Sequence, residues 1–116
     1  MARAGMESPD KRASARLAVE TTVRYQSEGE INGGRGFDLS ENGIGFQGGR
    51  LLPVGAAVEI EFRMTSSHGE WFRVKGIVRR STHHGMGVEF LGIGPAIRSQ
   101  IVKAIYHELA IQRRQA

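Results

Sequence analysis

Val58-Glu59-Ile60-Glu61-Phe62-Arg63-Met64 alternates apolar and charged residues without a break. A period of two sets one face of a β-strand in a core and the other in water. The same alternation runs through Leu17, Val19, Thr21, Val23 and Tyr25, interleaved with Ala18, Glu20, Thr22, Arg24 and Gln26, and Gly29 closes that strand. Downstream, Ser66-Ser67-His68-Gly69 reads as a hairpin tip leading into Trp71 to Arg80, with Phe72, Val74 and Val78 on one face. A second tip near His83-His84-Gly85 leads into Met86, Val88 and Phe90. These last strands read as an antiparallel meander.

Between the alternating stretches the signal is weaker. Ile31 to Leu39 reads as a Gly-interrupted strand, Asn42-Gly43 as a turn, and Ile44 with Phe46 as the start of a short strand. Gly48-Gly49 and Leu51-Leu52-Pro53-Val54-Gly55 form a connecting loop. The period then changes. Pro95 suits the first position of a helix, and Ile97, Ile101, Val102, Ile105 and Leu109 form an apolar stripe along about 18 residues. Arg113 and Arg114 complement the dipole of its last turn. Six short strands and one helix predict a mainly β fold: a small barrel plugged or flanked by that helix.

At 116 residues the chain fits a single domain. Having no cysteine, it relies on apolar packing, without disulfides or thiolate metal sites, and suits a reducing cytoplasm. No stretch approaches the ~20 apolar residues of a membrane span, and Met1 to Glu7 lacks the apolar core of a signal peptide. The expectation is a cytoplasmic protein without membrane insertion. Residues 1–10 read as a disordered arm and residues 11–112 as the domain. The net charge of +4 sits at the ends: residues 1–16 carry +2, residues 17–97 carry −1 and residues 98–116 carry +3. A duplex-binding module more often spreads cations over a folded face, so this charge argues weakly for nucleic acid. Thirteen Arg against three Lys favour planar, bidentate recognition of a small anion, and GC-rich codon usage accounts for the same bias equally well.

Two motifs carry chemistry. Arg12-Ala13-Ser14-Ala15-Arg16 sets two guanidinium forks four residues apart, just before the first strand. In Asp38-Leu39-Ser40-Glu41-Asn42-Gly43, Asp38 and Ser40 lie two apart on a strand end, so carboxylate and hydroxyl share a face, and Gly43 permits a tight turn. Each alone also fits a solvated basic tail or an ordinary Asx turn. Together, with Gly85-Met86-Gly87-Val88-Glu89-Phe90 and the closing helix, they resemble the PilZ domain family over Lys11 to Leu109.

PilZ domains are bacterial receptors for the second messenger cyclic di-GMP, built on a six-stranded antiparallel β-barrel with a C-terminal helix. The resemblance implies the same fold here, with the arm in front. It implies that Arg12 and Arg16 grip the phosphates and the O6/N7 edge of guanine, and that Asp38 accepts from guanine N1–H and N2–H₂. Ser40 and the backbone near Gly43 complete the cradle. Lys11 occupies a position tied to how many ligand molecules stack, and Arg80 or its neighbour Arg79 stacks on a guanine face. The implied role is a switch of conformation or partner binding in motility, exopolysaccharide or biofilm control. It acts through an unidentified downstream protein, as a monomer or weak dimer, with no cofactor besides the ligand. If both arginines lie in a free arm, ordering about five residues costs roughly 5–10 kcal/mol.

Other patterns lead elsewhere. Gly43-Ile44-Gly45-Phe46-Gln47-Gly48 has the glycine spacing of dinucleotide-binding folds, but Gly49-Arg50-Leu51-Leu52-Pro53 does not open a helix. Adjacent His83 and His84 face opposite ways on a strand, and no spaced partner supports a metal site. No nucleophile and base fall at a telling spacing, so an enzyme is not expected. Two rivals remain: a nucleic-acid-binding barrel stacking bases on Trp71, Tyr25 or Phe72, and a ligand-independent interaction module.

Overall fold

The computed structural model describes residues 16–66 and 69–115. The expected arm over residues 1–10, Lys11 and Arg12, and Ser67-His68 of the first tip lie outside the described residues. Within them the chain forms β1 (Thr21–Ser27), β2 (Glu30–Ser40), β3 (Gly43–Gly48), β4 (Ala57–Met64), β5 (Phe72–Thr82), β6 (Gly85–Leu91) and α1 (Pro95–Gln115). The strands close into an antiparallel barrel in the order β1-β2-β3-β6-β5-β4. The expected meander is the β4-β5-β6 half. Closure comes from two non-sequential pairings: β1 lies against β4 with Thr21 opposite Met64, and β3 lies against β6 with Ile44 opposite Val88.

The period of two does what it foretold. Val23, Tyr25, Val58, Ile60, Phe62 and Met64 point inward and are buried with Leu39, Ile44, Phe46, Val74, Val78, Met86, Val88 and Phe90. Burying an apolar side chain of this size stabilises by about 1.5–3 kcal/mol. Glu28 and Gly29, both with positive φ (54° and 82°), make the two-residue hairpin between β1 and β2. That conformation matches the twist of the flanking strands.

Both ends of the barrel are closed by apolar residues. The loop from Gly49 to Ala56 carries Leu52 into the core, where its N–H meets the Met86 sulfur. The loop is tied to β5 by bonds between Gly55 N–H and Val78 C=O and between Val78 N–H and Ala56 C=O. At the other end α1 runs from the β2–β3 turn, where Arg98 donates to Asn42, to the end of β4, where Ser66 donates to Glu108. Ile101 and Ile105 enter the core and Leu109 packs against it. Ile97 is exposed instead, because Arg98 and not Ile97 faces the turn at the start of α1. The helix reaches 21 residues and ends six residues beyond Leu109, the last of the apolar stripe.

Candidate functional site on the outer face of the barrel

The site is built on the outer face of β2, β3, β6 and β5. Ile44 and Phe46 face inward on β3, so Gly43 before them and Gly45 between them face outward. On β6 Met86 and Val88 face inward, leaving Gly87 and Glu89 outside. The register sets these residues in two rows. Asp38 lies opposite Gly45, Gly45 opposite Gly87, and Gly87 opposite Arg80. Ser40 lies opposite Gly43, Gly43 opposite Glu89, and Glu89 opposite Ile77. Three glycines thus form a strip of backbone without side chains of its own, buried beneath the Asp38, Phe37, Arg16 and Arg80 side chains that border it.

Two bulges aim those side chains. In β2 the register skips Phe37 between Gly36 and Asp38. Regular alternation from Leu39 would send Phe37 inward; the extra residue turns it out, over Gly45 and Gly85. In β5 the register skips Arg79 between Val78 and Arg80. Alternation would put these arginines on opposite faces, whereas the bulge leaves both outside. Arg79 Nε donates to Glu89 Oε1 at 2.7 Å, and the Arg80 guanidinium lies 3.5 Å from where a side chain on Gly87 would begin.

Arg16 reaches the strip because the chain just after it is pinned to β2. Leu17 and Leu39 exchange backbone hydrogen bonds of 3.0 and 3.1 Å, and Leu17 packs against the core. From there Arg16 Nη1 donates to Asp38 Oδ1 at 2.8 Å. Its other terminal nitrogen lies 3.5 Å from the Cβ position of Gly43. Arg16 is therefore not part of a free arm, and the ordering cost foreseen for it does not arise. The ion pair is over a third exposed at Arg16, so it is worth about 0.2–1 kcal/mol. That holds both groups beside the strip without locking them against a stronger partner.

The second motif works differently from its sequence reading. The two-residue turn is Glu41-Asn42, not Asn42-Gly43, and Gly43 is the first residue of β3. Ser40 is buried on the outer side and its hydroxyl accepts the Asn42 N–H at 3.1 Å, fixing the turn. Gly43 is glycine because a Cβ there would stand 2.5 Å from the Val88 carbonyl oxygen of the neighbouring strand. Asp38 and Ser40 do share the outer face, as the spacing required.

A family model described as the PilZ domain matches residues 10–107. The chain belongs to the PilZ domain family. Two solved structures resemble it in fold. One, titled as the Bacillus subtilis inhibitor of motility (MotI/DgrA), has a TM-score of 0.66 and 17% identity over 86% of this chain. The chain spans about half of that protein, 52% of its length. The other is the PilZ domain of CeSA from a cellulose-synthesizing bacterium, with a TM-score of 0.63 and 15% identity, covering 81% of this chain and 97% of that one. None of the curated proteins compared with the chain matches it.

In this PilZ domain the structure brings Arg16, Asp38, Ser40, Gly43 and Arg80 to one outer face. Lys11 and Arg12 lie outside the described residues. Phe37 and Glu89 border the same strip and were not singled out as site residues from the sequence; Arg79, weighed there as an alternative to Arg80 for stacking, pairs with Glu89 instead. The aromatic residues weighed for base stacking lie elsewhere. Tyr25 is buried, its hydroxyl donating to the Arg50 C=O and accepting the Arg50 N–H. Phe72 stacks on Phe62, with ring centroids 5.2 Å apart. The Arg24 and Arg63 guanidiniums both lie over Trp71, at 4.3 and 4.8 Å from its ring centroid. On that side of the PilZ barrel Glu61 accepts from Arg73 at 2.8 Å and pairs with Arg24. The Arg73 hydrogen bond above all, aided by Arg24 and opposed by burial, holds the Glu61 carboxyl below its ordinary value of 4.5.

Proposed function

We propose that this PilZ domain is a receptor for cyclic di-GMP, taken on the glycine strip between Asp38 and Arg80. The observation that carries the reading is the Arg16–Asp38 pair beside Gly43, which joins the two signature motifs from separate parts of the chain at one place. Arg16 offers a planar fork to a phosphate or to the O6/N7 edge of guanine. Asp38 offers acceptors to guanine N1–H and N2–H₂. Ser40 holds the turn that keeps Asp38 and Gly43 in register. Arg80, whose guanidinium lies beside Gly87, suits stacking on a guanine face.

Lys11 and Arg12 precede the anchored Arg16 by at most five residues. In this reading Arg12 supplies the second guanidinium, and Lys11 influences how many ligand molecules stack. Ligand binding draws residues 1–15 onto the barrel and changes the surface met by a downstream protein, which makes the domain a non-enzymatic, cytoplasmic signalling switch acting as a monomer or weak dimer. Calorimetric titration with cyclic di-GMP, GMP and GTP tests the reading on the wild-type chain and on Arg16→Ala. The expected result is selective binding of cyclic di-GMP, weakened about 5- to 150-fold by Arg16→Ala, the equivalent of one bidentate contact of roughly 1–3 kcal/mol. Undiminished affinity in a folded Arg16→Ala chain would refute Arg16's role.

A further inference from the structure

Diagonally across the glycine strip from Asp38, in the neighbouring row, stands a second Arg–carboxylate pair with no part in the family's two motifs. Glu89 projects outward from β6 and sits directly opposite Gly43, so Gly43 has Ser40 on one side and Glu89 on the other. Its carboxylate is oriented by Arg79 Nε at 2.7 Å, and half of the side chain remains exposed, 49%. A carboxylate has about four lone-pair positions, so one bond from Arg79 leaves acceptor capacity facing outward. The bulge at Arg79 leaves that arginine on the outer face beside Arg80.

Asp38 on β2 and Glu89 on β6 are separated by β3, two inter-strand steps of about 4.8 Å each, so their backbones lie on the order of 10 Å apart. Guanine presents N1–H and N2–H₂ side by side on one edge. One such edge matches one carboxylate; it does not span the strip to engage both. Two carboxylates, each held by its own arginine and flanking a strip that carries no side chains of its own, match a ligand with two guanine edges.

Resting on the receptor reading above, we infer that Glu89, positioned by Arg79, is a second guanine-edge acceptor, so that the site reads both bases of a cyclic dinucleotide. Asp38 takes one base and Glu89 the other. The test compares cyclic di-GMP with 3′,3′-cyclic GMP–AMP, which keeps both phosphates and the macrocycle but carries one guanine. Calorimetry on the full chain should show at least tenfold preference for cyclic di-GMP. Glu89→Gln, which keeps the side-chain length but turns an acceptor oxygen into a donor, should weaken cyclic di-GMP by tenfold or more and erase most of that preference. Arg79→Ala, which leaves the carboxylate in place, should cost less than Glu89→Gln. Wild-type affinity and preference in Glu89→Gln, or a loss in Arg79→Ala as large as that in Glu89→Gln, would overturn the role of Glu89 while leaving the receptor reading intact. Failure of the wild-type chain to bind either cyclic dinucleotide would overturn the receptor reading itself, and the role of Glu89 with it. Thermal unfolding of each variant, expected to match wild type because both side chains are half-exposed, separates lost binding from lost fold.

Discussion

Gly43 and Gly87 lie on the same strip, yet the structure assigns them opposite sensitivities to alanine. A Cβ on Gly43 would stand 2.5 Å from the Val88 carbonyl oxygen, a backbone atom of the strand that closes the barrel, so β3 and β6 would have to separate. Overpacking of this kind costs about 1–3 kcal/mol. For a domain near 100 residues each kcal/mol moves the midpoint by about 4 °C, so Gly43→Ala should lower Tm by about 4–12 °C. A Cβ on Gly87 meets only Arg80, at 3.5 and 3.6 Å, ordinary contact with a side chain that can shift. A strain-free Gly→Ala change recovers about 0.4–1 kcal/mol by restricting the unfolded chain, so Gly87→Ala should melt within about 4 °C of wild type, on either side. Circular dichroism melts of the three proteins in one buffer decide the matter. Equal losses in the two variants, or a neutral Gly43→Ala, would refute the β3–β6 register and the reading of the strip built on it.

Tyr25→Phe keeps the ring against Phe46, centroids 5.0 Å apart, but strands the N–H and C=O of Arg50. A loss of about 1–3 kcal/mol is expected by chemical denaturation, and an unchanged midpoint would show that the loop after β3 is held by other contacts. Acidification probes Glu61. Its folded-state pKa lies below the ordinary 4.5, so the unfolded chain takes up the proton first; the stabilisation is present above that value and is lost as pH falls through the lower, folded-state one. Melting points followed from pH 4.5 downward should therefore drop less steeply in Glu61→Gln than in wild type, and parallel curves would contradict the pairing with Arg73 and Arg24.

The barrel's parts were legible where one local pattern decides the outcome. Val58 to Met64 and Thr21 to Tyr25 alternate because one face of each strand is buried, although the alternation read from Leu17 onward places β1 four residues too early, and the stripe containing Ile101 and Ile105 marks the face that α1 turns to the core. The closing pairs were not legible, because the contact of β3 with β6 joins residues forty or more positions apart through no shared turn. The bulges were equally hidden. Nothing in Gly36-Phe37-Asp38 or Val78-Arg79-Arg80 announces an extra residue, yet each moves a side chain to the other face. Of the site, Asp38 and Ser40 could be placed together from spacing alone, and Arg16 beside them only through the family resemblance. The place of Gly43 in a strand rather than a turn needed the neighbouring Val88 carbonyl to be seen.

The central claim is that a guanine dinucleotide lies along Gly43, Gly45 and Gly87 between Arg16–Asp38 and Arg79–Glu89. Amide chemical shifts recorded during titration of the isotope-labelled chain with cyclic di-GMP test it most directly. The largest changes are expected at Arg16, Asp38, Gly43, Gly45, Gly87 and Glu89, with Arg24, Glu61 and Arg73 on the opposite side of the barrel unmoved. Changes centred on β1 and β4, or none at saturating ligand, would contradict it.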